Sequence, residues 1–114
     1  MDTDRTEERE HRIDMEIVVD AYNEHEVAMG WYHSLEERMS VPFRAQCIRE
    51  RAMSPLENGD EVTVVGMPDE EDCMCEMFVL IEWTDRTFGV PLMQLEPVNA
   101  DAQTEEIVGD WHYW

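Results

Sequence analysis

Apolar residues recur at two different periods along this chain, and the change falls near Phe43. Before it, Ile13, Ile17 and Ala21 return every four residues with Val18 and Tyr22 beside them, which is the spacing of one helix face. The residues ahead of them, 1–12, are almost wholly charged. Thr3 or Thr6 is placed to cap a helix there, with Glu7 and Glu8 in a first turn where negative charge suits the helix dipole. Ile17-Val18-Val19 also reads as a short strand, and the pattern leaves both readings open. Asn23 with Glu26 three positions later has the form of a cap and its return carboxylate. Beyond it Ala28, Trp31, Tyr32, Leu35 and Met39 keep helical spacing, while Glu26, Glu36 and Glu37 lie on the opposite side. Pro42 disfavours helical geometry at Val41 and ends the segment. The pattern predicts two helices over about residues 5–40, joined by a tight turn.

After Phe43 the chain changes to short alternating segments over about residues 44–98. Arg44–Arg51 places Ala45 and Cys47 on one side. Ser54-Pro55 and Asn58-Gly59 are turn chemistry. Glu61–Met67 predicts a strand with Val62 and Val64 inward, and Met77–Trp83 is the most strongly β segment of the chain. Thr84–Arg86 turns into a strand over Thr87–Val90. Leu92, Leu95 and Val98, three apart, suggest a 3₁₀ turn followed by a last short strand. Four or five such strands resemble a small SH3-like barrel. The tail, 99–114, begins polar but ends Trp111-His112-Tyr113-Trp114. Aromatics at that density are expected to dock on the domain, where each buries a large apolar area. A free partner-binding peptide is the alternative.

Composition then changes the picture. Twenty-eight Asp and Glu oppose eight basic residues in 114, every basic residue is Arg, and the formal charge is −20. With 43% apolar residues and four Trp, the chain is expected to fold rather than remain disordered, as a single domain over 1–114. A surface of this sign attracts cations. It lacks the basic footprint that nucleic acid requires, and anionic lipid repels it unless a divalent cation bridges the two. No apolar run approaches a membrane span, and the start has no secretory-signal pattern. Cys47, Cys73 and Cys75 are too few for a disulfide framework, so a reducing cytoplasm is the expected setting.

The densest acidic run is Asp69-Glu70-Glu71-Asp72, between two predicted strands. Calcium takes six to eight hard oxygen ligands, which crowded carboxylates and carbonyls supply. In a chain of this composition, however, about 0.4 such runs arise by chance, so a solvated loop is the stronger reading of the run alone. Glu36 and Glu37 diverge by about 100° on a helix and need help from elsewhere to share an ion. No D-x-[DN]-x-[DN]-G pattern occurs, so no EF-hand loop is present in the sequence. The Cys73-x-Cys75 pair lacks the partners of a structural zinc site, and His11, His25, His33 and His112 are scattered. With no phosphate loop and no nucleophile elbow, enzyme activity is not expected.

Several stretches together resemble the CcbP-type calcium-binding proteins of cyanobacteria: IVVDAYNEHEVAMGWYHSLEERMSVPF, SPLENGDEVTVVGM, DEEDCMCEMFVLIEW, VPLMQLEPV and the closing DWHYW. The resemblance spans about residues 13–114. It implies a small acidic cytoplasmic protein that binds Ca²⁺ without EF-hands, as buffer or sensor, with Glu36, Glu37, Asp69, Glu70, Glu71 and Asp72 as preferred ligands. The expectation is an α+β domain: an N-terminal helical hairpin on a small SH3-like barrel, with a docked aromatic tail. Rival readings are an acidic protein–protein interaction module and a charge that reflects a saline habitat, for which the missing Lys speaks.

Overall fold

The computed structural model describes residues 3–19 and 21–114, with side chains from Glu7 onward. Helix α1 spans Thr3–Arg12 and runs on as a π turn over Ile13–Ile17. Ile13 and Ile17 are buried, and the backbone leaves helical geometry at Val18, so the strand alternative for 17–19 is not realised. The expected Thr3 or Thr6 cap involves side chains outside the described residues. Helix α2 spans Glu24–Arg38. Its start has the predicted chemistry: Asn23 Oδ1 accepts from the Glu26 N–H at 2.9 Å, and Glu26 accepts in return from the Tyr22 N–H at 2.8 Å. Ala28, Trp31, Tyr32, Leu35 and Met39 are all buried, as their spacing predicts.

Five antiparallel strands follow: β1 (Phe43–Cys47), β2 (Glu61–Gly66), β3 (Phe78–Trp83), β4 (Arg86–Pro91) and β5 (Leu95–Val98). They lie in the order β4-β3-β2-β1-β5. In β1, Phe43, Ala45 and Cys47 point into the core while Arg44 and Gln46 face out. Thr84 and Asp85, both with positive φ, close the β3–β4 hairpin in two residues. The predicted 3₁₀ turn, Leu92–Gln94, carries the chain from β4 across to β5, which pairs with β1 through Arg44↔Val98 and Cys47↔Leu95.

The expected closed SH3-like barrel is not formed, because β4 and β5 stand at opposite edges of an open sheet. A helix accounts for this at the β5 side. Helix α3, Ala102–Tyr113, packs against β5, and its His112 Nε2–H donates to the Leu95 carbonyl at 2.7 Å. Burial holds His112 below its ordinary pKa, against the opposing effect of this hydrogen bond. Covering an edge with a helix removes the need to close the sheet.

The tail docks, as expected, rather than standing free as a peptide, and residues 102–113 do so as a regular helix. Ile107, Val108 and Trp111 are buried, while Tyr113 and Trp114 are about half exposed. Asp101 caps it, accepting from the Thr104 N–H at 2.7 Å, and Thr104 Oγ1 accepts from the Ser40 N–H at 2.9 Å. Hydrogen bonds from Thr104 and Ser40 hold the Asp101 carboxyl below its ordinary pKa. A depressed folded-state pKa means that this stabilisation is present above the unfolded value of about 3.9 and is lost as pH falls through the folded value. Acid titration of α3 helicity by circular dichroism should therefore show a loss below about pH 4 that Asp101→Asn, which keeps a capping oxygen, reduces.

Candidate metal centre

The acids singled out in the sequence fall on two elements that touch. Helix α2 packs against a single 3₁₀ turn, Glu70–Cys73, in the β2–β3 connection. The turn is closed by the Asp72 N–H donating to the Asp69 carbonyl at 2.9 Å. Each end of the acidic run is tied down. Ahead of it, the Tyr32 hydroxyl donates to the Pro68 carbonyl at 2.7 Å. Behind it, Cys73 is fully buried, and its sulfur accepts from the Phe78 N–H at 3.4 Å. Between these anchors Asp69, Glu70, Glu71 and Asp72 are all exposed.

Tyr32 also joins the two elements electrostatically. Burial, followed by the neighbouring Glu36 carboxylate and a smaller contribution from Asp69, pushes its hydroxyl up to about 12. Glu36, one helical turn beyond Tyr32, is thereby placed beside the start of the loop. Glu37 is exposed and lies about 100° further round the helix. Glu76, just past the run, is engaged elsewhere: Arg51 grips its carboxylate with two hydrogen bonds, one of 2.8 Å. Among the described residues no three His, Cys, Asp or Glu side chains converge as a ready metal cage. The structure thus ties Tyr32, with Glu36 one turn beyond it, to the start of the 69–72 loop, and Glu37 occupies the adjoining exposed helix position.

Sequence reading placed Tyr32 in the apolar stripe and missed its second role. The signal was the i, i+4 spacing of Tyr32 and Glu36 on a helix. Replacing Tyr32 with Phe should remove the hydroxyl that titrates at about 12 and lower stability by about 1 kcal/mol. An absorbance-monitored pH titration and a denaturant melt measure the two effects.

Residues 11–114 match the sequence family Calci_bind_CcbP, described as calcium binding. The chain belongs to this family. Two solved structures agree with the assignment. The crystal structure of Anabaena CcbP is 34% identical, with a TM-score of 0.84 over 95% of this chain and 89% of that one. A calcium binding protein in the calcium-binding form is 33% identical, with a TM-score of 0.85 over 97% of this chain and 91% of that one. Among curated proteins no match was found. No helix among the described residues is long and apolar enough to cross a membrane.

Proposed function

We propose that this protein binds Ca²⁺ reversibly, through Glu36 and the acids Asp69, Glu70, Glu71 and Asp72, as a calcium buffer or sensor of the cytoplasm. The observation that carries the reading is family membership over 11–114 together with the likeness to a protein solved in its calcium-binding form. The donor chemistry fits: exposed carboxylates and loop carbonyls are hard oxygen ligands, and among the described residues no Arg pairs with an acid of the run. The Tyr32–Pro68 hydrogen bond supports the choice of Glu36, because it fixes Tyr32, which lies beside that carboxylate, at the start of the loop. Glu37, exposed on the adjoining helix position, is the reserve ligand from the same helix.

The work of the chain is to present these oxygens to an ion that already carries water. Carboxylates from α2 and the 3₁₀ turn, with backbone carbonyls, replace part of the hydration shell of Ca²⁺. Like charges in the empty loop repel, and a divalent cation removes that repulsion. The net charge of −20 raises the local cation concentration, an effect that salt weakens. Such a site lies between a helix and a strand connection, outside any EF-hand. Three free cysteines, two of them buried, support a reducing compartment.

Site-directed calorimetry tests the ligand assignment. Glu36→Gln and Asp72→Asn are each expected to weaken Ca²⁺ binding by about tenfold, or ~1.4 kcal/mol. Glu7→Gln and Glu8→Gln, exposed on α1, should leave it unchanged. Small, equal losses for all four variants would mean diffuse counterion attraction and overturn the assignment.

A further inference from the structure

The residues just after the acidic run carry donors of opposite chemical character. Within five positions, Cys73, Met74, Cys75 and Met77 supply two thiols and two thioethers. All four side chains line one cavity of about 490 Å³, walled on the helical side by Trp31, Trp111 and Trp114. Their burial is graded: Cys73 and Met77 are buried, Met74 is half-buried and Cys75 is exposed. The sulfur set therefore extends from the interior to solvent and includes its own access path. All three cysteines are free thiols, and Cys47, in β1, lies outside this cavity.

Donor chemistry selects the ion. A structural zinc site needs four ligands drawn from Cys, His and carboxylate, and no three such side chains converge among the described residues. What the cavity does concentrate is thiol and thioether sulfur, and thiolate and thioether are the ligand types that favour Cu(I). The Cys73 thiol donates to the Phe78 carbonyl at 3.7 Å, a bond given up when the sulfur binds an ion, while the Phe78 N–H directed at the same sulfur at 3.4 Å is the kind of hydrogen bond that stabilises a metal-bound thiolate. The strongly negative surface draws any cation toward the opening.

We propose that Cys73, Met74, Cys75 and Met77 form a soft-metal site that takes one Cu(I) ion. Each ligating thiol releases its proton to solvent as its sulfur binds, and neither metal nor sulfur changes oxidation state. The site uses none of the oxygen donors assigned to Ca²⁺, so it stands or falls independently of that reading.

The test is an anaerobic competition for Cu(I) between the full chain and a chromogenic Cu(I) chelator, with tryptophan emission followed in parallel. Wild type should withhold one Cu(I) per chain and lose emission, because three of its four Trp wall the cavity. Cys75→Ser, at an exposed position that leaves the core intact, should weaken binding by at least about tenfold. Met74→Leu should weaken it several-fold, and Cys47→Ser should have no effect. The proposal is overturned if the chelator strips all Cu(I) from wild type, or if Cys75→Ser and Cys47→Ser lose binding equally.

Discussion

Gly30→Ala is expected to destabilise the fold by about 2 kcal/mol, although helix propensity alone argues the other way. Gly30 sits inside α2, where replacing Gly with Ala ordinarily gains about 1 kcal/mol. Here a Cβ would collide with the carbonyl oxygen of Ile17 and crowd the carbonyl carbon. The obstruction is main chain, so no side chain can swing aside. Either α2 or the π turn must shift, and both carry core residues, Trp31 and Ile17. Overpacking of this kind costs about 1–3 kcal/mol or more, which exceeds the propensity gain. Urea denaturation decides between the two effects: a midpoint that rises would show that the contact yields without strain.

Asp110→Ala should cost more, about 3 kcal/mol. The Asp110 carboxylate is fully buried, and it accepts from Arg12 Nε at 2.8 Å, from the Arg12 terminal nitrogen at 2.6 Å, and pairs with Arg9 at 2.9 Å. This one acid fastens α1 to α3. Hydrogen bonding to Asp110 is also the largest influence raising the Arg12 pKa, ahead of the opposing effect of burial. Removing one partner of a buried pair leaves the other charge uncompensated, a loss of about 3–5 kcal/mol. The lower end applies because Arg12 and Arg9 remain 19% and 35% exposed. Thermal unfolding of Asp110→Ala measures it, and a loss below about 1 kcal/mol would class the cluster with ordinary surface pairs.

Local chemistry made much of this fold legible from sequence. The Asn23–Glu26 cap, the buried stripe of α2, the β segments and the 3₁₀ turn before β5 each follow from residues a few positions apart. Two features depended on longer reach. The aromatic tail predicts docking but not its helical form. Yet Asp101 as cap, with Ile107, Val108 and Trp111 at helical spacing, was the signal for α3. Barrel closure failed because α3 covers β5, a relation between elements that no local pattern encodes.

The candidate site divides in the same way. An acidic run can be read from a sequence, but chance alone makes such runs common in a chain with 28 acids. What ties the helix to the acidic run is tertiary: Tyr32, one turn before Glu36, reaches the carbonyl that precedes Asp69, and on that contact rests the proposal of Glu36 as a ligand. Asp110 gives the complementary case. In sequence it is one acid among many, and only the fold shows it fully buried between two Arg side chains of α1.

Calorimetric titration of the wild-type protein with Ca²⁺, at low ionic strength and again in molar KCl, tests the central claim most directly. Salt at that level shortens the screening length to about 3 Å, which suppresses attraction by the overall charge but not direct coordination. A site built from carboxylates in contact with the ion predicts saturable heat of the same stoichiometry in both conditions, with weaker affinity in KCl. The absence of saturable binding in both would contradict the assignment of this chain as a calcium-binding protein.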